Sequence, residues 1–139
     1  MAKMFPKVVG IIGYSAPKFD EEKAKKIIKD CFDNLEKKYG EVAIASGLTD
    51  LGISALAYRE AKKRGWKTIG IACEKAKEHK LFDCDEVIIV GKEWGDESET
   101  FLNKIDCIVK IGGGKQSEKE FAQAKDMEME TYEFELAVI

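Results

Sequence analysis

The sequence is poor in the residues that most often advertise chemistry or flexibility. Its 139 residues include one histidine, two prolines and four cysteines. With so little proline, and no Ser/Pro or Gln/Asn tract, nothing reads as a linker. The length suits one domain, residues 1–139, with a single core between layers of helix. Cys31, Cys73, Cys84 and Cys107 form no C-x-x-C pair and three of them lie in apolar stretches. Reduced, mostly buried thiols in a cytoplasmic protein are therefore expected. His79 sits in the charged stretch 74–80, so exposure is expected rather than a catalytic or metal role, and no His/Cys/Asp cluster has metal-ligand spacing.

Long apolar runs are also lacking. Residues 1–6 have no signal-peptide core, and no run approaches the length of a membrane span, so no membrane partner is expected. Charge of one sign is not gathered on any one face, since basic residues are mixed with acidic ones along the helices. The net charge is −3, and basic residues alternate with acidic ones, as in Glu21-Glu22-Lys23 and Glu118-Lys119-Glu120. A nucleic-acid partner needs a basic face, and none is legible. Two phosphate-binding signatures fail as well. Gly114-Lys115 is followed by Gln116, and Val109 holds the place of the first Walker A glycine; strand one runs Gly10-Ile11-Ile12-Gly13, which is not G-x-G-x-x-G.

What is present is an alternation of short apolar runs with helical stripes, the mark of an α/β fold. Strands are expected at 7–13, 41–46, 68–73, 87–90 and 106–111. The stripe Ala24, Ile27, Ile28, Cys31, Phe32, Leu35 predicts a first helix, opened by Asp20 as N-cap and closed by Lys37, Lys38 and Gly40. A second helix follows residues 47–52 and ends at Lys62-Lys63-Arg64-Gly65. A short third carries Phe101 and Leu102, and a fourth spans about 117–127. The tail at about 131–136 alternates strictly and predicts an edge strand with one wet face. The expected architecture is a three-layer αβα Rossmann-like domain, core 7–128, on a mostly parallel sheet of five to six strands. In such sheets ligands bind beyond the carboxyl ends of the strands.

Small residues concentrate at three strand ends: Gly13-Tyr14-Ser15-Ala16, residues 46–52, and Gly112-Gly113-Gly114-Lys115-Gln116-Ser117. Glycine admits close backbone approach, and a following helix turns unpaired N–H groups toward the same space, which favours phosphate. The expected ligand contacts are Gly13, Ser15, Gly47, Thr49, Gly112, Gly113, Gly114, Lys115 and Ser117. Each glycine also has the simpler reading of a tight turn. Lys115 is either a point charge for phosphate or a solvated lysine. Tyr14 and Trp94 either stack on a base or pack on their loops, and Asp50 either caps helix two or orients a ribose hydroxyl. Ser117-x-x-Glu120 reads as a capping box, or Glu120 as a carboxylate at the sugar.

The order of these segments resembles the SLOG group of Rossmann-like proteins, which includes the LOG phosphoribohydrolases, the Moco-carrier-like proteins and the DNA-processing protein Smf. The resemblance runs from about Val8 to Met127 and is carried by Gly13-x-Ser15, by Ser46-Gly47-Leu48-Thr49-Asp50-Leu51-Gly52-Ile53, by Thr68-Ile69-Gly70-Ile71, and by Asp106 through Gly114. It implies a nucleotide or nucleoside-phosphate ligand below the strand ends, and commonly a homodimer. The LOG enzymes carry a P-G-G-x-G-T-x-x-E loop; here Ile111 stands for the proline, the loop reads GGGKQS, and the preceding helix has no arginine. Three functions follow as expectations. The first is binding of a nucleotide or related phosphorylated small molecule. The second is N-glycosidic hydrolysis or transfer on nucleoside monophosphates with Glu120 catalytic. The third is a homo-oligomeric assembly module built on Tyr132, Phe134 and Leu136.

Overall fold

A computed structural model describes residues 7–15 and 18–139, so what the sequence suggests for residues 1–6 and for Ala16 and Pro17 lies outside the described residues. Eleven elements follow one another: β1 (Lys7–Gly13), α1 (Glu21–Tyr39), β2 (Val42–Ser46), α2 (Gly52–Lys63), β3 (Thr68–Ala72), a short 3-10 helix (Glu74–Glu78), β4 (Glu86–Ile89), α3 (Ser98–Lys104), β5 (Cys107–Ile111), α4 (Lys115–Asp126) and β6 (Glu130–Phe134). The six strands form one sheet in the order β4-β3-β2-β1-β5-β6, and every neighbouring pair is parallel.

The period-2 pattern of the strands sorts their side chains into two cores. Val9, Ile11, Val42, Ile44, Val109 and Ile111 face α1 and α2, meeting Ile28, Phe32, Leu35, Ile53 and Tyr58. Ile12, Ala43, Ala45, Ile69, Ile71 and Ile108 face the other way, onto Phe101, Leu102, Ile105, Phe121 and Ala124. Each large side chain so buried stabilises the fold by about 1.5–3 kcal/mol. The chain is thus a three-layer αβα sandwich of Rossmann-like type.

Helix α1 starts where its charges direct it. The Asp20 side chain accepts from the Lys23 amide at 3.1 Å, and Gly40, at φ 75°, stops the helix with its N–H on the Glu36 carbonyl. Arg64 then ties α2 to α1, with its guanidinium on Asp33 (2.6 Å), Glu60 (2.8 Å) and Glu36 (3.3 Å).

Two expectations need correction. The tail strand stops at Phe134 because the neighbouring β5 ends at Ile111, and the Gly112 amide closes the ladder on the Phe134 carbonyl. Leu136 lies beyond the strand and is buried in the α1–α2 core. Helix α4 begins two residues earlier than its sequence pattern suggests. Gly114, at φ 138°, holds the N-cap position, and the Glu118 amide bonds its carbonyl. Ser117 therefore falls inside the first turn, and there is no capping box.

The strand order locates the crevice of the sheet. From β1 the chain moves outward through β2, β3 and β4, with α1 and α2 on one face. It then returns to the other side of β1 for β5 and β6, with α3 and α4 on the opposite face. The direction reverses beside β1, so the helix layers part above the carboxyl ends of the central strands.

Candidate functional site

A cleft of about 420 Å³ opens at that reversal. Its floor is the end of β1, Ile11 to Gly13, with Ser46 at the end of β2 and Gly47 just beyond it. Thr49, Leu51 and Ser54 contribute one wall and Gln116, Ser117 and Glu120 of α4 another. Ser15 and Glu97 also line it, with His79 and Trp94 opposite. The volume falls within the usual range for small-molecule sites.

The loop between β2 and α2 is held from several sides. Tyr58, fully buried, reaches the Gly47 carbonyl at 2.7 Å and the Ile69 carbonyl at 2.9 Å with its hydroxyl. Ser46 Oγ donates to the Ile11 carbonyl and shares a hydrogen with Ser54 Oγ, both at 2.6 Å. The Asp50 amide bonds the Lys80 carbonyl, the Phe82 amide the Leu48 carbonyl, and the Ile53 amide the Tyr14 carbonyl. Gly52 makes that last contact possible. At φ 58° its missing Cβ would lie 2.1 Å from the Tyr14 carbonyl oxygen, so no side chain fits.

The N-termini of α2 and α4 both border this space, since Leu51 and Ser54 flank the start of one and Gln116 and Ser117 form the start of the other. First-turn amides point out of a helix end without intrahelical partners, and the dipole adds positive potential there. Ser117 Oγ also links α4 to β1, donating to the Gly13 carbonyl at 3.3 Å.

At the foot of α4 the polarity changes. Glu97 and Glu120 are each only 6% exposed. The Gln116 side-chain amide donates to both, at 3.1 Å to each carboxylate. Ser98 Oγ donates to Glu120 at 2.7 Å, and the Gly95 amide to Glu97 at 2.9 Å. Burial pushes the Glu120 carboxyl above its ordinary value and the charge of Glu97 adds to that, while the bonds from Ser98 and Gln116 oppose it. No lysine or arginine lines the cleft among the described residues.

Of the residues singled out in the sequence, Gly13, Ser15, Gly47, Thr49, Ser117 and Glu120 come together in the cleft wall. Gly112, Gly113, Gly114 and Lys115 do not line it, although they lead directly into Gln116 and Ser117. Gly112 has its own reason to be glycine: at φ 72° a Cβ would stand 2.3 Å from the Tyr14 ring. Tyr14 packs on its loop, with its ring 6.0 Å from that of Phe19. Trp94 is 48% exposed and His79 is exposed, their rings are 6.0 Å apart, and both line the cleft. Asp50 caps nothing; it accepts from Arg59 at 2.9 Å and pairs with Lys80 at 3.5 Å.

Glu97 and Ser54 are polar lining residues that sequence reasoning missed, and Glu97 is the buried carboxylate of the two. It lies in the run Glu93-Trp94-Gly95-Asp96-Glu97-Ser98-Glu99, which reads as a solvated helix start. Nothing in that run marks one carboxylate as buried. The four thiols are free cysteines and none of them lines the cleft. Cys31, Cys73 and Cys107 are buried and Cys84 is partly so; burial pushes Cys31 up to about 12, and Cys84 and Cys107 to about 11. Among the described residues no cluster of His, Cys, Asp and Glu fits a metal ion, and no helix is long and apolar enough to cross a membrane.

No protein family and no curated protein matches the chain. Solved structures do. The molybdenum cofactor binding protein of the phototrophic bacterium Rippkaea orientalis superposes with a TM-score of 0.75 at 21% identity, over 94% of this chain and 77% of that one. TM1055, a structural genomics target, gives a TM-score of 0.74 at 22% identity over 90% and 72%. The molybdenum cofactor carrier protein of Chlamydomonas reinhardtii gives 0.72 at 19% over 92% and 76%. At these identities the likeness is one of fold.

Proposed function

We propose that this chain binds a nucleotide or a related phosphorylated small molecule in the cleft at the strand reversal, as a member of the SLOG group. The observation that carries the reading is the meeting of two helix N-termini, α2 and α4, on one cleft at the carboxyl end of β1. Their first-turn amides other than that of Ile53, which is spent on the Tyr14 carbonyl, would hold the phosphate with the hydroxyls of Ser15, Thr49 and Ser117, and Gly47 would let it approach the backbone. Gly113, Gly114 and Lys115 adjoin the α4 end and are assigned to the same phosphate. The segment order of the SLOG group supports this, as does the shared fold of two proteins described as binding or carrying the molybdenum cofactor.

The test exploits Gly47. A Cβ there would meet only Ser54 Oγ, at 3.6 Å, so alanine fits the fold. Nucleoside 5′-monophosphates should raise the melting temperature of the native chain, by about 2.7 kcal/mol of added stability at a hundred times the dissociation constant. The parent nucleosides should do much less. Gly47→Ala should melt as the native chain does without ligand and lose most of that gain. If no phosphate ester shifts the native chain, the reading falls.

A second reading rests on Glu120. A buried carboxyl with a raised pKa in a ligand cleft has the character of a general acid or of an electrostatic stabiliser at a sugar's anomeric carbon. N-glycosidic cleavage would release free base from a nucleoside monophosphate, and Glu120→Gln would abolish that release while leaving the fold intact.

A further inference from the structure

The foot of the cleft offers a ligand acceptors and almost no donors. Ser98 Oγ is committed to Glu120, and the Gln116 amide is committed to Glu97 and Glu120 together. Glu120 is 6% exposed, and both of its hydrogen bonds end on Oε2. Its Oε1 accepts none from the described residues, while the side chain lines the cleft. Glu97, equally buried beside it, uses Oε1 for the Gly95 amide and Oε2 for Gln116. A carboxylate oxygen has room for a second donor, so both groups retain capacity toward the cleft.

Such a wall discriminates by hydrogen-bonding pattern. A ring nitrogen or carbonyl that only accepts would face carboxylate oxygens with no proton between them, beside two side chains that are each 6% exposed. A ring presenting an N–H beside an amino group matches a carboxylate well, because two parallel donors meet acceptor oxygens and the bonds are charge-assisted. We propose that Glu97 and Glu120 are specificity residues that select a 2-amino-4-oxo-pyrimidine edge, the N–H and NH₂ pair carried by guanine. Glu120 Oε1 makes the first contact and Glu97 the second. Pterin rings carry the same edge, so the recognised chemistry is shared by two ligand classes. The inference rests on the cleft being the phosphate-ligand site proposed above.

The experiment is calorimetric titration of the full chain with GMP, IMP, AMP, 6-hydroxymethylpterin phosphate and inorganic phosphate. IMP is GMP without its 2-amino group, so this pair isolates the edge. GMP should bind roughly tenfold to a hundredfold more tightly than IMP, as befits loss of a hydrogen bond to a charged group. AMP, which sets a ring acceptor beside its amino group, should be no better than IMP. Tighter binding of the pterin phosphate than of GMP would assign the edge to a pterin, and the reverse to guanine. Glu97→Gln and Glu120→Gln should each move the GMP/IMP ratio toward one while inorganic phosphate still binds. Equal binding of GMP and IMP by the native chain overturns the inference and leaves the function standing, as does a ratio unchanged in both variants. If no phosphate ester binds, the function falls and this inference with it.

Discussion

Glu120→Gln should make the protein more stable at neutral pH. The bonds that the two carboxylates accept from Gln116 Nε2 are 3.1 Å each, which keeps those oxygens within reach of one donor. Two oxygens each 3.1 Å from one nitrogen are at most about 6 Å apart, and unit charges at that distance repel by about 3 kcal/mol at an effective dielectric of ~20. The Gln116 amide between them and water in the open cleft screen part of this, leaving about 1–2 kcal/mol. A glutamine at position 120 still offers an oxygen to Ser98 and Gln116, and its NH₂ takes the place of Oε1, which accepts no bond from the described residues. A gain of that size raises the melting temperature by roughly 3–6 °C in a domain of this length. The pH dependence gives a second check. Because the folded pKa of Glu120 lies above its unfolded value of 4.5, ionisation works against the fold. The variant's advantage is therefore full above the raised pKa, fades as pH falls through it, and is gone below 4.5, where the native carboxyl is protonated in both states. Urea unfolding of both proteins at pH 7 and pH 4 measures this. A variant that is less stable at pH 7, or an advantage that persists unchanged at pH 4, would refute the reasoning.

Three other variants probe the frame around the cleft. Glu130 accepts from Lys38, Tyr39 and Tyr132, and the Lys38 ammonium leads in holding its carboxyl down to about 2. Its contribution is present above pH 4.5 and is lost as pH falls toward 2. Glu130→Gln should therefore unfold more readily at pH 7 yet match the native chain at pH 2, with a difference within about 1 kcal/mol because the pair is exposed. Gly52→Ala drives a methyl into the Tyr14 carbonyl at positive φ and should cost about 2–4 kcal/mol by chemical denaturation, with loss of ligand response. Tyr58→Phe removes the hydroxyl that reaches the Gly47 and Ile69 carbonyls and should cost about 1–2 kcal/mol; a neutral result would mean that the loop after β2 is held by its backbone bonds alone.

The fold was readable because its signals are local and redundant. Each strand of the core is a short apolar run, and α1 carries both an acidic N-cap and a basic, glycine-terminated end. The all-parallel sheet follows from strands joined by helices. The failures came where a tertiary contact outweighed a local pattern. Ser117-x-x-Glu120 has the spacing of a capping box, yet Ser117 reaches across to Gly13, and Glu120 is taken by Ser98, which lies 22 residues away. Leu136 continues the alternation of the tail, but the neighbouring strand has ended and the side chain turns into the core. Glu97 was invisible for a related reason. Its burial depends on Gln116, 19 residues later, and a charged run carries no mark of which member a later helix will cover.

Two of these failures, at Ser117-x-x-Glu120 and at Glu97, fall on one side of the cleft. Locally consistent sequence builds the α2 side, where glycine, serine and threonine follow β2 as the turn requires. The α4 side defies local rules: a serine placed for capping does not cap, and two carboxylates are buried together although separation would be more stable. Natural sequences keep such conflicts chiefly where a ligand compensates for them. A phosphate alone would not, since it would add negative charge near Glu97 and Glu120. A molecule with an anionic end for the helix termini and a donor-bearing ring for the carboxylates resolves both at once. The cleft is thus better understood as bipolar than as a simple anion hole, and the stability forfeited at Glu120 is the quantity through which that bipolarity can be measured.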